Sequence, residues 1–215
     1  MSGNLYVVGL GFSGLAVARR AQVEGWTVAG SVTSEEKAAR LRGEGVDAEV
    51  LSPESAKLGA ATHVLSTVAP NATGDPVLPI VRAARPKWFG YLSTTGVYGD
   101  TGGGWVDETA VPNPGQARSR YRLAAEREWQ ALAREQGVPL DIFRLPAIYG
   151  PSRSALDQVQ EGRAQCVDKP GQVFCRVHVE DIASAVLAAM KRKAGTVYNR
   201  SEEHTSELQS RQYLV

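Results

Sequence analysis

The sequence predicts an α/β fold in which a doubly wound parallel sheet is covered by helices on both faces. Apolar runs typical of buried strands alternate with segments of helical periodicity along nearly the whole chain. The junction between the first strand and the first helix carries closely spaced glycines. A length of 215 residues, 43% of them hydrophobic, suits one globular domain with a sizeable core.

The N-terminal part of the chain alternates between the two kinds of segment. NLYVVGLG is an apolar strand that ends in glycines, and SGLAVARRAQVEGW follows with helical spacing of its apolar residues. SEEKAARLRGEG has acids in its first turn and a glycine near its end, which indicates a second helix. A third helix is predicted over DPVLPIVRAARP. The further strands predicted here are TVAGSV, DAEVL and THVLSTVAP.

The second part of the chain continues the alternation around a long loop. KWFGYLSTTGVYG is predicted as the fifth strand, and GDTGGGWVDETAVPNPG is a loop rich in glycine and proline, of the kind that often carries function. A long helix is predicted from about Ala117 to Gln136. The segments after it are a strand over LDIFRLPAIYGP, an irregular segment, a helix over VHVEDIASAVLAAMKR and a strand over GTVYN.

Composition argues against nucleic acid or a membrane as the partner. Lysine and arginine number 24 against 23 aspartates and glutamates, so no overall field favours a polyanion. No apolar stretch is long enough for a membrane span, and the N-terminus lacks the features of a signal peptide, so we expect a soluble cytoplasmic protein. Cys166 and Cys175 form no metal pattern, and we expect free thiols and no metal site.

The last segment, RSEEHTSELQSRQYLV, loses the apolar periodicity of the preceding chain. Arg200 to Ser210 resembles, codon by codon, the translation of a common sequencing adapter. We therefore expect residues 200–215 to be a non-native tail and residues 1–199 to form the domain, with the natural sequence cut near Asn199. A natural polar C-terminal helix is the alternative.

Gly9, Gly11 and Gly14 form the pattern G-x-G-x-x-G between the first strand and the first helix. In this context the first glycine permits a tight turn, the second lets the backbone approach a pyrophosphate, and the third lets helix and strand pack closely. Phe12 and Ser13 add the free N–H groups of the helix N-terminus. The pattern predicts a Rossmann-type dinucleotide site, and a merely tight turn is the alternative.

The end of the second strand bears on whether the dinucleotide is NAD or NADP. An acid about 20 residues beyond the glycines would bind the ribose hydroxyls of NAD, but Ser31, Thr33 and Ser34 are neutral. The absence of an acid removes repulsion against a 2'-phosphate, and Lys37 and Arg40 follow in the next helix. We expect Thr33 and Ser34 at the cofactor and favour NADP, with NAD open. Solvent exposure is the alternative for the two cations.

The stretches YLSTTGVYGD, FRLPAIYGP and VHVEDIA resemble the extended and atypical short-chain dehydrogenase/reductases, the NAD-dependent epimerase/dehydratase family. The likeness spans nearly all of residues 1–199 and implies a small-molecule enzyme with a small C-terminal substrate lobe, truncated in this chain. In that family a serine or threonine three residues before the valine of VYG bonds the reacting substrate oxygen, and Thr94 holds that position. A β-branched residue at a strand end is the alternative for Thr94.

The same resemblance assigns further contacts. Leu145 and Pro146 match the segment beside the nicotinamide, and Ser66, at the end of the fourth strand, is also expected at the cofactor. Thr95 and Tyr98, beside Thr94, are expected at the substrate. His178, which matches the segment that enters the last helix, is expected to be structural.

The long helix departs from the family. Members carry Y-x-x-x-K, often with a glutamate four residues after the lysine, and aligning that acid on Glu126 puts Arg118 at the tyrosine and Arg122 at the lysine. Arginine stays protonated at any working pH, so Arg122 could hold a ribose but Arg118 cannot be a general base. Tyr121 is a candidate for the proton transfer, since residues three apart share a helix face. Packing at the helix edge is the alternative for Tyr121.

Four arginines are candidates for an anionic site. Arg118 and Arg122 are a like-charge pair at i, i+4, for which a bound phosphate, Asp107 or Glu108, or solvent would compensate. Arg153 and Arg176 could extend the pocket, together with Arg118, toward an anionic substrate. Two hypotheses follow: an NAD(P)-dependent oxidoreductase or epimerase/dehydratase that acts on a hydroxyl-bearing, anionic or nucleotide-linked small molecule, or a catalytically silent NAD(P)-binding protein.

Overall fold

A computed structural model describes residues 3–164 and 174–201 of the chain. Most of its strands belong to a single parallel sheet, and two short strands form a second one. The strands are β1 (Asn4–Val8), β2 (Thr27–Val32), β3 (Asp47–Val50), β4 (His63–Ser66), β5 (Trp88–Thr94), β6 (Leu140–Leu145), β7 (Ala147–Tyr149), β8 (Arg176–His178) and β9 (Val197–Asn199). The helices are α1 (Phe12–Val23), α2 (Glu35–Gly43), α3 (Ala56–Gly59), α4 (Leu78–Val81), α5 (Ala117–Gln136), α6 (Ala155–Gln160) and α7 (Val179–Arg192).

The predicted doubly wound parallel sheet is confirmed. Within the described ranges its seven strands run in the order β3-β2-β1-β4-β5-β6-β9, and every pairing is parallel. Helices α1, α2 and α7 contribute to one buried apolar cluster and α3, α4 and α5 to the other, so the sheet is covered on both faces. The chain reverses its winding direction between β1 and β4, and in such sheets ligands bind at the carboxyl ends of the strands there.

The helix predicted over DPVLPIVRAARP is much shorter than expected. Only Leu78–Val81 is helical, and the following turns tighten to i→i+3 hydrogen bonds, as from the Ala84 N–H to the Val81 carbonyl at 2.9 Å. Pro79 is tolerated in the first turn, but its ring would clash with the Asp75 carbonyl if the helix began earlier, and Pro86 disfavours helical geometry in the residue before it. Two prolines therefore limit an apolar segment to a single helical turn.

The strand predictions around the site also need correction. β5 ends at Thr94, and a 3-10 turn (Thr95–Tyr98) follows where the strand was expected to continue. The strand predicted over LDIFRLPAIYGP divides at Pro146 into β6 and β7, because proline cannot donate to the ladder. The last helix begins at Val179 because Val177 and His178 belong to β8. Two short helices, α3 and α6, were not predicted as helices.

Two sequence expectations lie partly outside the described residues. Cys175 is a free, exposed thiol, whereas Cys166 and residues 202–215 fall outside the described ranges. None of the helices within those ranges is both long and apolar enough to cross a membrane.

Candidate cofactor and substrate site

The glycine pattern lies at the turn between β1 and α1, with each glycine in a different environment. Gly9 has φ +96°, a left-handed conformation that favours glycine. A Cβ on Gly14 would lie 2.2 Å from the Gly9 carbonyl oxygen, so the first helical turn rests directly on the strand end. A Cβ on Gly11 would meet nothing within 4 Å, and Gly11 caps α1 with no side-chain hydrogen bond. The turn thus leaves open space beside Gly11, at a helix N-terminus whose first N–H groups have no side-chain cap.

Two hydroxyl groups fix this turn from the neighbouring strands. The Ser31 Oγ, at the end of β2, accepts from the Gly9 N–H at 3.2 Å, and Thr67 donates to the Gly9 carbonyl at 2.6 Å. The buried Ser31 hydroxyl therefore stabilises the turn from within the protein. Thr67, which follows β4, is a residue that sequence reasoning missed. The signal for Thr67 was only its place just after a strand end, because its partner is 58 residues away.

The end of β2 presents neutral groups, as the sequence indicates. Thr33 and Ser34 are exposed, and the Ser34 Oγ caps α2 by accepting from the Lys37 N–H at 3.3 Å. Lys37 is half-buried and Arg40 is exposed on the same helix. Glu35, the first residue of α2, forms an ion pair with Arg42.

Arg122 brings a cation from α5 to the strand ends beside the glycine turn. Its Nη1 donates to the Leu92 carbonyl at 2.7 Å and to the Val68 carbonyl at 3.2 Å, and its guanidinium lies over the Tyr91 ring at 5.6 Å. The side chain of Val68 would be 2.9 Å from a Cβ on Gly9. One residue, Val68, therefore separates the guanidinium from the glycine turn.

Thr94 lies at the carboxyl end of β5, opposite Leu145 of β6 in the sheet register. Its Oγ1 accepts from the Gly96 N–H at 3.1 Å and caps the 3-10 turn, so its own hydrogen stays available for donation. Thr94, Thr95 and Pro146 are half-exposed, whereas Leu145 is buried. The register therefore places two predicted site residues side by side at the end of the sheet where a cofactor would lie.

The other two candidates from the region of the family's Y-x-x-x-K motif, Arg118 and Tyr121, lie in the first turns of α5. Tyr121 is half-buried, and Arg118 is exposed with its Nε donating to the Gln116 side chain at 3.2 Å. Asp107 and Glu108 do not pair with Arg118 or Arg122 among the described contacts. Asp107 accepts from the Thr109 N–H at 2.9 Å, and Glu108 accepts from the Asn199 N–H at 2.6 Å. The loop carboxylates proposed to compensate the arginine pair are thus directed elsewhere.

A buried polar network lies beneath Thr94. Arg144 of β6 forms a buried ion pair with Glu126 of α5 at 2.8 Å and donates to the Tyr98 hydroxyl at 2.8 Å. The Tyr98 hydroxyl donates in turn to Asn199 Oδ1 at 2.8 Å, and the Ser93 hydroxyl donates to Glu126. Tyr98, predicted to bind substrate, is therefore buried with its hydroxyl engaged by protein groups.

Ser66 and Tyr91 are register partners in β4 and β5. Ser66 is fully buried, and its hydroxyl has no hydrogen-bond partner among the described residues. Burial raises the pKa of Tyr91, while the nearby charge of Arg122 acts in the opposite direction. Tyr91 is accordingly a neutral phenol that supports the Arg122 guanidinium.

The remaining predicted residues lie on the segments that follow β6 and precede α7. Arg153 is exposed with its guanidinium 5.2 Å from the centre of the Phe12 ring, and Arg176 is half-buried in β8. Ser13, like Phe12, is half-exposed in the first turn of α1. His178 caps α7, its Nδ1 accepting from the Glu180 N–H at 3.3 Å, which agrees with the structural role expected for it.

Comparison with known proteins identifies the family to which these features correspond. Residues 71–200 match the model of the NAD dependent epimerase/dehydratase family. The Escherichia coli K12 protein YeeZ is 29% identical over an alignment 213 residues long, and the match covers 90% of this chain and 75% of YeeZ.

Solved structures give the same fold. A functionally unknown conserved protein from Silicibacter pomeroyi is 40% identical with a TM-score of 0.85, over 94% of this chain and 73% of the other. A UDP-glucuronic acid 4-epimerase from Bacillus cereus, solved with NAD, is 18% identical with a TM-score of 0.70, over 94% and 79% of the two chains. At that identity the second likeness shows the fold alone.

Proposed function

The chain belongs to the NAD-dependent epimerase/dehydratase family, and from that premise we propose that it binds NAD or NADP and acts on a hydroxyl-bearing, anionic or nucleotide-linked small molecule. The observation that carries this proposal is the β1–α1 turn, in which Gly14 packs against the Gly9 carbonyl while the space beyond Gly11 is open. An uncapped helix N-terminus behind a close glycine contact is what a dinucleotide pyrophosphate requires.

The residues at the turn fit such a cofactor. The N–H groups of Phe12 and Ser13 would bind the phosphates, and Thr33 at the end of β2 would lie toward the adenosine ribose. Leu145 and Pro146 would border the nicotinamide at the ends of β5 and β6. When bound, the cofactor supplies hydride acceptance and return.

We favour NADP over NAD as the preferred cofactor. Thr33 and Ser34 carry no charge that would repel a 2'-phosphate, and the half-buried Lys37 lies one turn into α2. Glu35, the nearest acid in the sequence, is paired with Arg42. Its charge is therefore partly compensated on the exposed side of that helix.

The chain's own residues would divide the remaining work at the ends of β4, β5 and β6. Arg122, fixed by the Leu92 and Val68 carbonyls through Nη1, has Nε and Nη2 left to donate to a ribose hydroxyl. Thr94 would donate its hydroxyl hydrogen to the substrate oxygen. Tyr121, or a water held beside it, would move the proton between that oxygen and solvent.

A catalytically silent NAD(P)-binding protein is the second candidate. The observation that favours it is the replacement of the family's tyrosine and lysine by Arg118 and Arg122. Arg118 is exposed, and its Nε donates to the Gln116 side chain. Because arginine stays protonated, Arg118 does not replace a tyrosine as the general base.

Turnover by the full chain distinguishes the two candidates. Nucleotide-linked sugars and simple hydroxy acids would be incubated with NADP or NAD, following absorbance at 340 nm for net reduction and chromatography for epimerised product. We expect turnover that is lost in Thr94→Ala, reduced in Tyr121→Phe and kept in Thr27→Ala, an exposed threonine at the amino end of β2. Full activity in both site variants would overturn these roles, and tight cofactor binding without turnover would favour the silent protein.

A further inference from the structure

A cation lies against the side chain of the first residue of α1. The Arg153 guanidinium lies 5.2 Å from the centre of the Phe12 ring, and Phe12 directly follows Gly11. A guanidinium that stacks on an aromatic face keeps its N–H groups in its own plane, free to donate to an anion. The contact thus places up to five donors beside the turn.

The backbone on both sides of Arg153 is fixed. Gly150 and Arg153 form a two-hydrogen-bond bridge, with the Arg153 N–H donating at 3.0 Å and the Gly150 N–H at 3.2 Å. Ser154 begins α6 with a capping box to Asp157. Ser152, between the bridged residues, has φ +59°, a conformation that costs a non-glycine residue energy and that concentrates at functional sites.

This bridged turn packs against the side chains of Val179 and of Phe12, the residue that follows Gly11. A Cβ on Gly150 would lie 2.7 Å from Val179 Cγ1 and 3.2 Å from Phe12 Cζ, so only glycine allows the approach. The segment that begins beside Thr94 at Leu145 therefore ends against the first residue of α1.

The charge of Arg153 is not neutralised inside the described part of the chain. Its guanidinium forms no ion pair with any described carboxylate, and the first turn of α1 contains no acid. The positive end of a 12-residue helix and the cation beside it both favour an anion between them.

We propose that Arg153 is a cofactor-binding residue whose guanidinium binds the diphosphate of the bound dinucleotide from the side opposite the α1 N–H groups. This inference rests on the proposed function and moves Arg153 from the substrate pocket, where sequence reasoning placed it, to the cofactor. Phe12 holds the guanidinium in plane, and the Gly150–Arg153 bridge sets its height above the turn.

The test compares ligands that share the adenosine and differ in phosphate. Wild type, Arg153→Met, Arg153→Lys and the control Arg127→Met, at an exposed position of α5, would be titrated with NADH and ADP by calorimetry and with adenosine by NMR. We expect Arg153→Met to weaken NADH and ADP binding by roughly 10- to 100-fold, as for one charge-assisted contact. Adenosine binding should change less than about twofold on the same argument, since adenosine carries no anion for the guanidinium. Arg153→Lys should be intermediate and Arg127→Met unchanged.

The outcomes separate this inference from the proposed function. If wild type binds NADH and Arg153→Met binds it with the same affinity, the inference is overturned and the proposed function stands. Equal losses for ADP and adenosine would also overturn it, because the effect would then be on the pocket as a whole. A wild-type chain that binds none of the ligands would overturn both. Circular dichroism and the melting temperature of each variant show whether it is folded.

Discussion

The Arg122 guanidinium donates to the Leu92 carbonyl oxygen at 2.7 Å, which ties the second turn of α5 to the carboxyl end of β5. A second carbonyl, that of Val68, accepts from the same nitrogen at 3.2 Å. The helix therefore delivers a fixed cation to the strand ends, from the position at which the sequence comparison expects the family's lysine. Four residues earlier, where the family's tyrosine is expected, Arg118 donates to the Gln116 side chain.

The glycine turn predicts opposite results for two similar substitutions. Gly14→Ala should destabilise the fold by roughly 1–3 kcal/mol or more, because the new Cβ would overlap the Gly9 carbonyl, 2.2 Å away. Gly11→Ala should leave stability nearly unchanged, since nothing lies within 4 Å, yet weaken NADH binding by filling the open space. Urea denaturation and NADH titration measure the two effects. A Gly11→Ala variant that binds NADH like wild type would place the pyrophosphate elsewhere.

The buried Glu126–Arg144 pair predicts a strongly non-additive pair of mutations. Arg144→Met alone should cost about 3–5 kcal/mol, because it leaves a buried carboxylate without its partner. Replacing both residues, as Glu126→Leu with Arg144→Met, should cost less than the single change. Urea denaturation measures both, with the exposed Arg134→Met as the control. Costs that simply add would mean that the two side chains are not coupled.

Acid should destabilise the protein in part through His63. Burial, with the charges of Lys193 and Lys87, lowers the pKa of His63 to about 4 from its usual 6.5. Below pH 6.5 the unfolded chain therefore binds a proton that the folded chain refuses. The contribution of His63 to the free energy of unfolding is fully present above pH 6.5 and is lost as the pH falls toward 4.

The matched variant is His63→Phe, which keeps a ring against Trp26 and Trp88. Between pH 7 and pH 4 wild type should lose on the order of 2 kcal/mol more unfolding free energy than this variant. Parallel pH profiles of the two proteins would show that His63 does not titrate in this range.

The sequence predicts the elements that local chemistry defines. Helix α5 has the predicted limits, Ala117 to Gln136, because a long amphipathic repeat is ended by Gly137 in a left-handed conformation, φ +65°. The β1–α1 glycine turn is likewise specified by its own residues. The helix over DPVLPIVRAARP fails for an equally local reason, since Pro79 and Pro86 oppose an apolar pattern that otherwise favours a helix.

Contacts between distant segments of the chain were beyond sequence reasoning. Thr67 bonds the Gly9 carbonyl, Arg153 stacks on Phe12, and Arg144 pairs with Glu126 only because the sheet and its crossovers bring these segments together. The sequence pattern placed Arg144 in a predicted strand but did not indicate its partner. Such partners depend on topology and register, which a one-dimensional pattern does not encode.

The most direct test is a fluorescence titration of the full chain with NADPH and NADH, in parallel with Arg122→Ala and the exposed control Arg127→Ala. We predict saturable binding of both cofactors, tighter for NADPH, that weakens roughly 10- to 100-fold in Arg122→Ala and is unchanged in the control. A folded wild-type chain that binds neither cofactor would contradict the dinucleotide site. Equal binding by Arg122→Ala would show that this arginine has not taken over the hold on the ribose.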